Sequence, residues 1–481
     1  MAALSPATRA ARELRFFKSR LIIALRSVAG RSVARLNQTG RNPLRVGSMR
    51  RPPLSSRAMQ NMLPILIADA PGALIELCGV NLLERLLRIL QRLGFRRAVV
   101  FSTTPEIVGA ELAKRSWPRE QITADLVSSA IKPLTAQWLL EQNESDRFLI
   151  VPANIYCDSR LLAALCGKDS PAALVDSNPP EFARHIIRNP CGPALITRDF
   201  LFALSPAAPF FNELTKKIDH AKIDIVDAAK VNDYIVSMRR RVRPVCFRVL
   251  AEQNVRSAER IILDSAQKGT LDLPAYIHAP IETRIVSLLC KTQITPNQIT
   301  ITGLMIGCSA TIAFAVGRVG LGILAALIFG IVDGLDGKQS RVKIETTERG
   351  KWEHHLDYLI ENSWWATIAF DLWRSGQFPN AFYFLALLIA SHLLDEFVKR
   401  RAKIAKGRLL DDVTPFDRAF RLIAARRNVY VWMLACGFLL GVFPQSYAII
   451  CGWAAFSAAV HLVRAIWIVN TRGRQVIDSR T

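Results

Sequence analysis

The sequence predicts a chain in two parts, an α/β domain built on a mostly parallel sheet followed by an all-α bundle of six transmembrane helices. Three observations predict it. Across residues 62–280 apolar runs are short, and strand-like and helix-like stretches alternate, the pattern of βαβ units. Across 298–471 the apolar runs approach the ~20 residues that a bilayer core demands. Lysine and arginine gather in alternate connections of that second half, as loops on the cytoplasmic side do.

Residues 1–60 hold twelve arginines, one lysine and a single acid, Glu13. This composition reads as a disordered basic arm; a transit peptide, or an extension upstream of an internal start at Met59 or Met62, shares it. The α/β domain then occupies 61–280, roughly 220 residues, enough to bury a core of its own. Residues 63–68 read as its first strand, 81–93 as a helix, 97–102 as the next strand and 147–152 as a later one. Asp158, ahead of Arg160-Leu-Leu, reads as a helix cap.

A juxtamembrane segment, 281–297, links the halves. Its first part, Ile281 to Lys291, spaces apolar and charged residues as an amphipathic helix lying along the membrane surface does. Pro296 and the hydroxyls around it then start the first span. The membrane domain takes 298–471, with spans at 298–316, 320–335, 354–371, 378–396, 428–444 and 447–469, and a tail at 472–481. Connections 336–353 and 397–427 carry Lys399-Arg400-Arg401 and Arg426-Arg427, which puts both termini and the second span's end on the cytoplasmic side.

That end holds the most informative residues of the chain. The apolar run 320–332 leads directly into Asp333-Gly-Leu-Asp336-Gly337-Lys-Gln-Ser340-Arg341, with Gly350 eight residues later. The next span opens with His354, Asp357 and Glu361. A carboxylate at the centre of a span costs roughly 2.5 to 3.5 kcal/mol, less near its ends, so several at one depth need compensation. A divalent cation supplies it. Asp333 and Asp336 share one helix face, as do His354, Asp357 and Glu361; two such faces opposed make an oxygen-rich site for Mg²⁺ or Mn²⁺. Gly337 leaves the backbone open to a phosphate, and Arg341 offers it a planar fork. The bland alternative is an Asp/Gly-rich loop between two helices.

These residues resemble the CDP-alcohol phosphotransferase (CDP-alcohol phosphatidyltransferase) family, whose signature is D-x-x-D-G-x-x-A-R, eight residues, then G-x-x-x-D-x-x-x-D. Asp333, Asp336, Gly337, Arg341 and Gly350 match it in place. Ser340 replaces the alanine, and His354 and Tyr358 stand where the third and fourth aspartates belong. Asp357 and Glu361 repeat that four-residue pair three positions later, a shift of about 4.5 Å along a helix and roughly 60° around it. They are assigned the third and fourth roles, with His354 as an extra ligand; a capping role for His354 stays open.

The resemblance implies transfer of a substituted phosphoryl group from a CDP-alcohol to an acceptor hydroxyl, releasing CMP. It implies a metal held by Asp333, Asp336, Asp357 and Glu361, with Glu361 also as general base. Gly337, Ser340, Arg341 and Gly350 would line the substrate site, as would Asn297 in the Pro296-Asn297 entry to the first span. The implied donor is CDP-diacylglycerol or a CDP-polyol, the implied acceptor a hydroxyl compound of inositol type, and relatives commonly pair as homodimers through their membrane bundles. His392, Asp395 and Glu396 near the fourth span's end line the acceptor pocket or anchor that helix at the interface.

The first domain resembles the sugar-phosphate nucleotidyltransferases, and the fusion resembles the bifunctional inositol-phosphate cytidylyltransferase and di-myo-inositol-phosphate-phosphate synthase proteins. Its chemistry is eroded. The segment 68–79 lacks the basic residues of the family's glycine-rich loop, and Ala153-Asn154 replaces its metal-binding Gly-Asp. A degenerate, scaffolding domain is expected. The net charge of +23 sits in the arm and loops rather than beside exposed aromatics, which favours anionic lipid headgroups over nucleic acid. Nine scattered cysteines without C-x-x-C read as free thiols. A catalytically inactive membrane scaffold and a small-solute transporter are the alternative functions.

Overall fold

The computed structural model describes residues 61–128, 134–142, 145–184, 192–205, 223–249, 252–269, 271–345, 350–407 and 409–470. The expected basic arm at 1–60 and tail at 472–481 lie outside the described residues.

Seven strands form one sheet: β1 (Met62–Ile67), β2 (Arg97–Ser102), β3 (Thr123–Ser128), β4 (Arg147–Pro152), β5 (Ala172–Val175), β6 (Ala194–Thr197) and β7 (Asp224–Asp227). Strand β1 is an unbroken apolar run, the signature of a strand covered on both faces. It accordingly lies inside the sheet, whose order is β7-β5-β6-β4-β1-β2-β3. Strand β6 alone runs antiparallel to its neighbours β4 and β5; the other pairings are parallel. Helix α1 (Leu82–Leu93) starts where Asn81 accepts from the Glu84 amide, and stops at Gly94, whose φ of 102° suits glycine. Its leucines 83, 86, 87 and 90 pack on Val100, Leu149 and Val151 of the sheet. Asp158 caps the helix Ser159–Cys166 by accepting from the Arg160 amide.

Eight further helices matter to the site: α2 (Glu252–Ser265), α3 (Ala275–Leu289), α4 (Pro296–Ala315), α5 (Val319–Val342), α6 (Gly350–Arg374), α7 (Ala381–Lys406), α8 (Arg427–Leu439) and α9 (Phe443–Asn470). Helix α4 opens with a capping box in which Thr295 and Gln298 bond each other's backbone, with Pro296 in the first turn. Trp364 and Trp365 of α6 are wholly buried. Trp364 donates Nε1 to the Gly307 carbonyl of α4 at 2.9 Å and meets Phe329 of α5 edge-on at 5.4 Å.

Helices α4 to α9 stand where six spans were expected. Among the described residues four helices, α4, α5, α7 and α9, are long and apolar enough to cross a membrane, or five if the pair Pro415–Ile423 and Arg427–Leu439, bent by 42°, forms one span. Helix α8 alone has 13 residues, about 20 Å at 1.5 Å per residue, which is short for a bilayer core. Helix α6 carries Asp357, Glu361, Asp371 and Arg374 among its apolar residues.

Two boundaries also differ. Helix α5 was expected to end at Asp333 and Asp336, yet it continues to Val342, because its last carbonyls find donors elsewhere in the chain. The surface helix expected from Ile281 begins at Ala275, contains Pro280, and buries His278 and Val286. It packs against α5. The halves share a core in which Leu77, Tyr156 and Phe247 join Ile262 of α2, Val286 of α3, Ile299 of α4, and Leu335 and Val342 of α5.

Candidate active site on helix α5

Each acid of the α5 motif is engaged by a different neighbouring helix. Asp336 is 6% exposed; its Oδ2 accepts from Thr300 Oγ1 of α4 at 2.6 Å, and its Oδ1 accepts from the Gly337 amide. Asp333 Oδ2 accepts from Arg427 Nη2 of α8 at 2.6 Å. The Arg427 guanidinium also lies 4.6 Å from the centre of the Phe329 ring, a cation–π contact.

Helix α6 supplies the third acid. Asp357 lies beside Asp333, close enough to couple with it electrostatically, and within electrostatic reach of Asp336 and Arg427. Glu361, one turn further on the same face, interacts with Arg427 and with Tyr430 of α8. Ile360 and Trp364 beside it are buried, whereas Tyr358 is 47% exposed. The side chain of His354 lies outside the described residues.

The expected phosphate-binding residues are spread more widely. Gly350 opens α6. Ser340 Oγ donates to the Gly337 carbonyl at 3.1 Å. Arg341 donates Nε to the Ala266 carbonyl, just past α2, at 2.7 Å. A Cβ on Gly337 would stand 3.3 Å from Arg341 Nη1, so this glycine makes room for the arginine lying back over its own helix. Asn297 sits in the first turn of α4, one turn before Thr300.

Thr300, the threonine of the Pro296-Asn297 entry, joins the site, as do three residues that the sequence did not single out: Arg427, Glu282 and Lys338. Gly334 of α5 faces the Glu282 carboxylate of α3, which takes the space a Cβ would fill. Burial pushes the Glu282 carboxyl above its usual range, against the opposing pull of Lys338. Lys338, 1% exposed, donates Nζ to Gln267 Oε1 and Thr283 Oγ1, both at 2.5 Å. His278 accepts from Trp432 Nε1 at 3.2 Å, and burial lowers its pKa. The available signal was the spacing of His278 and Glu282, which lie four apart and so on one face of α3.

The acids of α7 are committed to other contacts. Asp395 accepts from Lys399 at 2.7 Å and bonds His461 of α9 at 2.6 Å, His392 meets the Tyr430 hydroxyl at 3.2 Å, and Glu396 pairs with Arg400 at the surface.

The donor set suits a hard cation in kind. Two carboxylates within electrostatic reach of each other, as Asp333 and Asp357 are, repel unless a proton or cation lies between them, and these donors are oxygens. Among the described residues no three Asp, Glu, His or Cys side chains converge closely enough to hold a metal. Arg427 and Thr300 each take up one oxygen of the α5 pair.

No protein-family model matches the chain. It is 27% identical over 193 residues to the bifunctional IPC transferase and DIPP synthase of Aquifex aeolicus, covering 39% of this chain and 43% of that protein. A protein of the same name from Thermococcus kodakarensis is 29% identical over 177 residues, 34% of this chain and 40% of that one. By sequence, the chain is similar to the bifunctional IPC transferase and DIPP synthases. It spans about two fifths of the length of these relatives. Among solved structures, the inositol-1-phosphate CTP transferase from T. maritima aligns over 42% of this chain and 96% of its own at 11% identity, with a TM-score of 0.30.

Proposed function

We propose that this chain is an integral membrane phosphotransferase that moves a substituted phosphoryl group from a CDP-alcohol to an acceptor hydroxyl and releases CMP. The observation that carries the reading is the meeting of Asp357 with Asp333, which brings acids from two helices together beside Asp336 and Arg427. Their relatives' double name supports the transferase class.

The acceptor oxygen forms a bond to the donor phosphorus nearest the alcohol, and the bond from that phosphorus to the CMP oxygen breaks, CMP leaving with the electron pair. Glu361 takes the acceptor proton, directly or through one water. Arg341 and Arg427 hold phosphate charge in a site sheltered from solvent, where such contacts act most strongly. Asp333, Asp336 and Asp357 would hold Mg²⁺ or Mn²⁺, which supplies Lewis-acid stabilisation of the diphosphate. Gly337, Ser340, Gly350 and Asn297 border the phosphate path, and His354 is a further ligand.

The donor is a CDP-alcohol, CDP-diacylglycerol or a CDP-polyol; the fused architecture favours an inositol-type acceptor. Basic connections support a cytoplasmic side for the site and both termini, and a second copy of the chain is a candidate partner for the bundle. The first domain reads as nucleotidyltransferase-like and inactive. Asn154 stands where a metal-binding aspartate is expected, its buried Oδ1 without a partner, and a Cβ on Gly72 would lie 3.3 Å from its own Cβ. The glycine loop is thus folded against the strand end.

Release of radiolabelled CMP from a panel of CDP-alcohols tests the reading. Metal-dependent release by wild type that is lost in Asp336→Asn supports it. Release untouched by that change, or solute uptake into vesicles without release, overturns it.

A further inference from the structure

The C-terminal turn of α5 is held by a helix from the other half of the chain. A helix end leaves four carbonyls without intrahelical partners, and here arginines of α1 meet two carbonyls at that end. Arg85 donates Nη1 to the Val342 carbonyl at 2.7 Å and Nη2 to the Leu77 carbonyl at 2.8 Å. Arg88, one turn on, donates Nη1 to the Lys343 carbonyl at 2.6 Å, Nε to Glu84 at 2.9 Å and Nη2 to Ser116 Oγ at 3.2 Å. The two arginines are 2% and 8% exposed.

Burying two guanidinium groups is costly unless their donors are satisfied. Cations at a helix C-terminus are also favoured by the helix dipole. The linker before α4 grips the same turns, since Gln339 Nε2 donates to the Ile294 carbonyl at 2.5 Å and Lys343 Nζ to the Thr292 carbonyl at 2.8 Å. Val342 is six residues beyond Asp336, about 9 Å along the axis. The clamp therefore acts within two turns of Asp336 and within three of Asp333.

We propose that Arg85 and Arg88 are positioning residues for phosphotransfer: by capping α5 they fix its rotation and depth, so that Asp333 and Asp336 face Asp357. The α/β domain thereby becomes a working part of the membrane site without chemistry of its own. The activity arm of this inference rests on the phosphotransferase reading; the structural arm does not.

The test uses the full chain in lipid nanodiscs, with Arg85→Ala, Arg88→Ala, their double variant, Arg85→Lys and Arg88→Lys, and Lys114→Ala as a surface control. Amide hydrogen exchange of 333–345 is expected to quicken at least tenfold in the double alanine variant, less in the lysine variants, and not in Lys114→Ala. Turnover of CMP release is expected to fall roughly 10- to 100-fold, as small misplacements of reacting groups do, with the donor KM nearly unchanged. Unchanged exchange overturns the clamp. Faster exchange with unchanged turnover overturns the positioning role. Should the double variant fail to fold, the lysine variants carry the same comparison. A wild type that releases no CMP sinks the phosphotransferase reading, while exchange still decides whether the arginines hold α5.

Discussion

Arg427 Nη2 lies 2.6 Å from Asp333 Oδ2, pairing the first acid of the α5 motif with a cation from α8. The arginine side chain is 14% exposed and the aspartate 30%, so neither partner is well solvated alone. Arg427→Met strands the carboxylate and is expected to destabilise the fold by on the order of 3 kcal/mol. Thermal unfolding in detergent measures this. The Arg427→Met/Asp333→Asn double variant should recover much of the loss, and a double variant as unstable as the sum of the singles argues against the pairing.

Thr300→Val deletes the hydroxyl that donates to Asp336 at 2.6 Å while keeping the side chain's shape. A hydrogen bond to a charged group contributes about 1.5 to 3 kcal/mol, so the unfolding midpoint should fall by a corresponding amount. If Asp336 instead finds its partners elsewhere, the midpoint stays where it is.

Gly307→Ala tests how tightly α4 holds α6. A Cβ there would stand 2.8 Å from Ile360 Cγ2 and 3.0 Å from Phe329 Cε2, beside the hydrogen bond from Trp364 to its carbonyl. Overpacking of this kind costs about 1 to 3 kcal/mol, and it pushes on the residue next to Glu361. Activity and stability should fall together; a gain in stability contradicts the packing described.

Glu345 gives a pH signature outside the membrane helices. Burial raises its carboxyl above the ordinary 4.5, against the opposing pull of Lys343 and Arg88. The folded state therefore holds this proton more tightly than the unfolded chain. The stability it contributes is complete below 4.5 and is lost as pH rises through the raised folded value. Moving from about pH 7 towards about pH 5 should thus stabilise wild type relative to Glu345→Gln. Parallel stability curves for the two proteins rule this out.

What the sequence disclosed follows from what is local. The strands at 62–67, 97–102 and 147–152 and the helix at 82–93 carry their own periodicity and caps, and the α5 motif is a run of adjacent residues. Partners that arrive from far away left no such pattern. Arg427 meets Asp333 across 94 residues, Thr300 meets Asp336 across 36, and Arg85 meets the Val342 carbonyl across 257. The same distance hid the true end of α5, since a helix stop cannot be read locally when another domain supplies its cap. Among the described residues four or five helices are long and apolar enough to span, against the six expected, because α6 mixes charge into an apolar helix and α8 is short.

The choice between adjacent residues of α6 decides the catalytic assignment most directly. Asp357 lies within electrostatic reach of Asp333, whereas Tyr358, which stands in the signature's fourth-aspartate position, is 47% exposed. CMP release by Asp357→Asn and by Tyr358→Phe, measured side by side at saturating metal, separates them. The geometry predicts that Asp357→Asn lowers turnover by roughly 10²- to 10³-fold, as loss of a charge-stabilising group does, and that Tyr358→Phe is close to wild type. The reverse outcome, an active Asp357→Asn beside a crippled Tyr358→Phe, contradicts the convergence of α5 and α6 on one site.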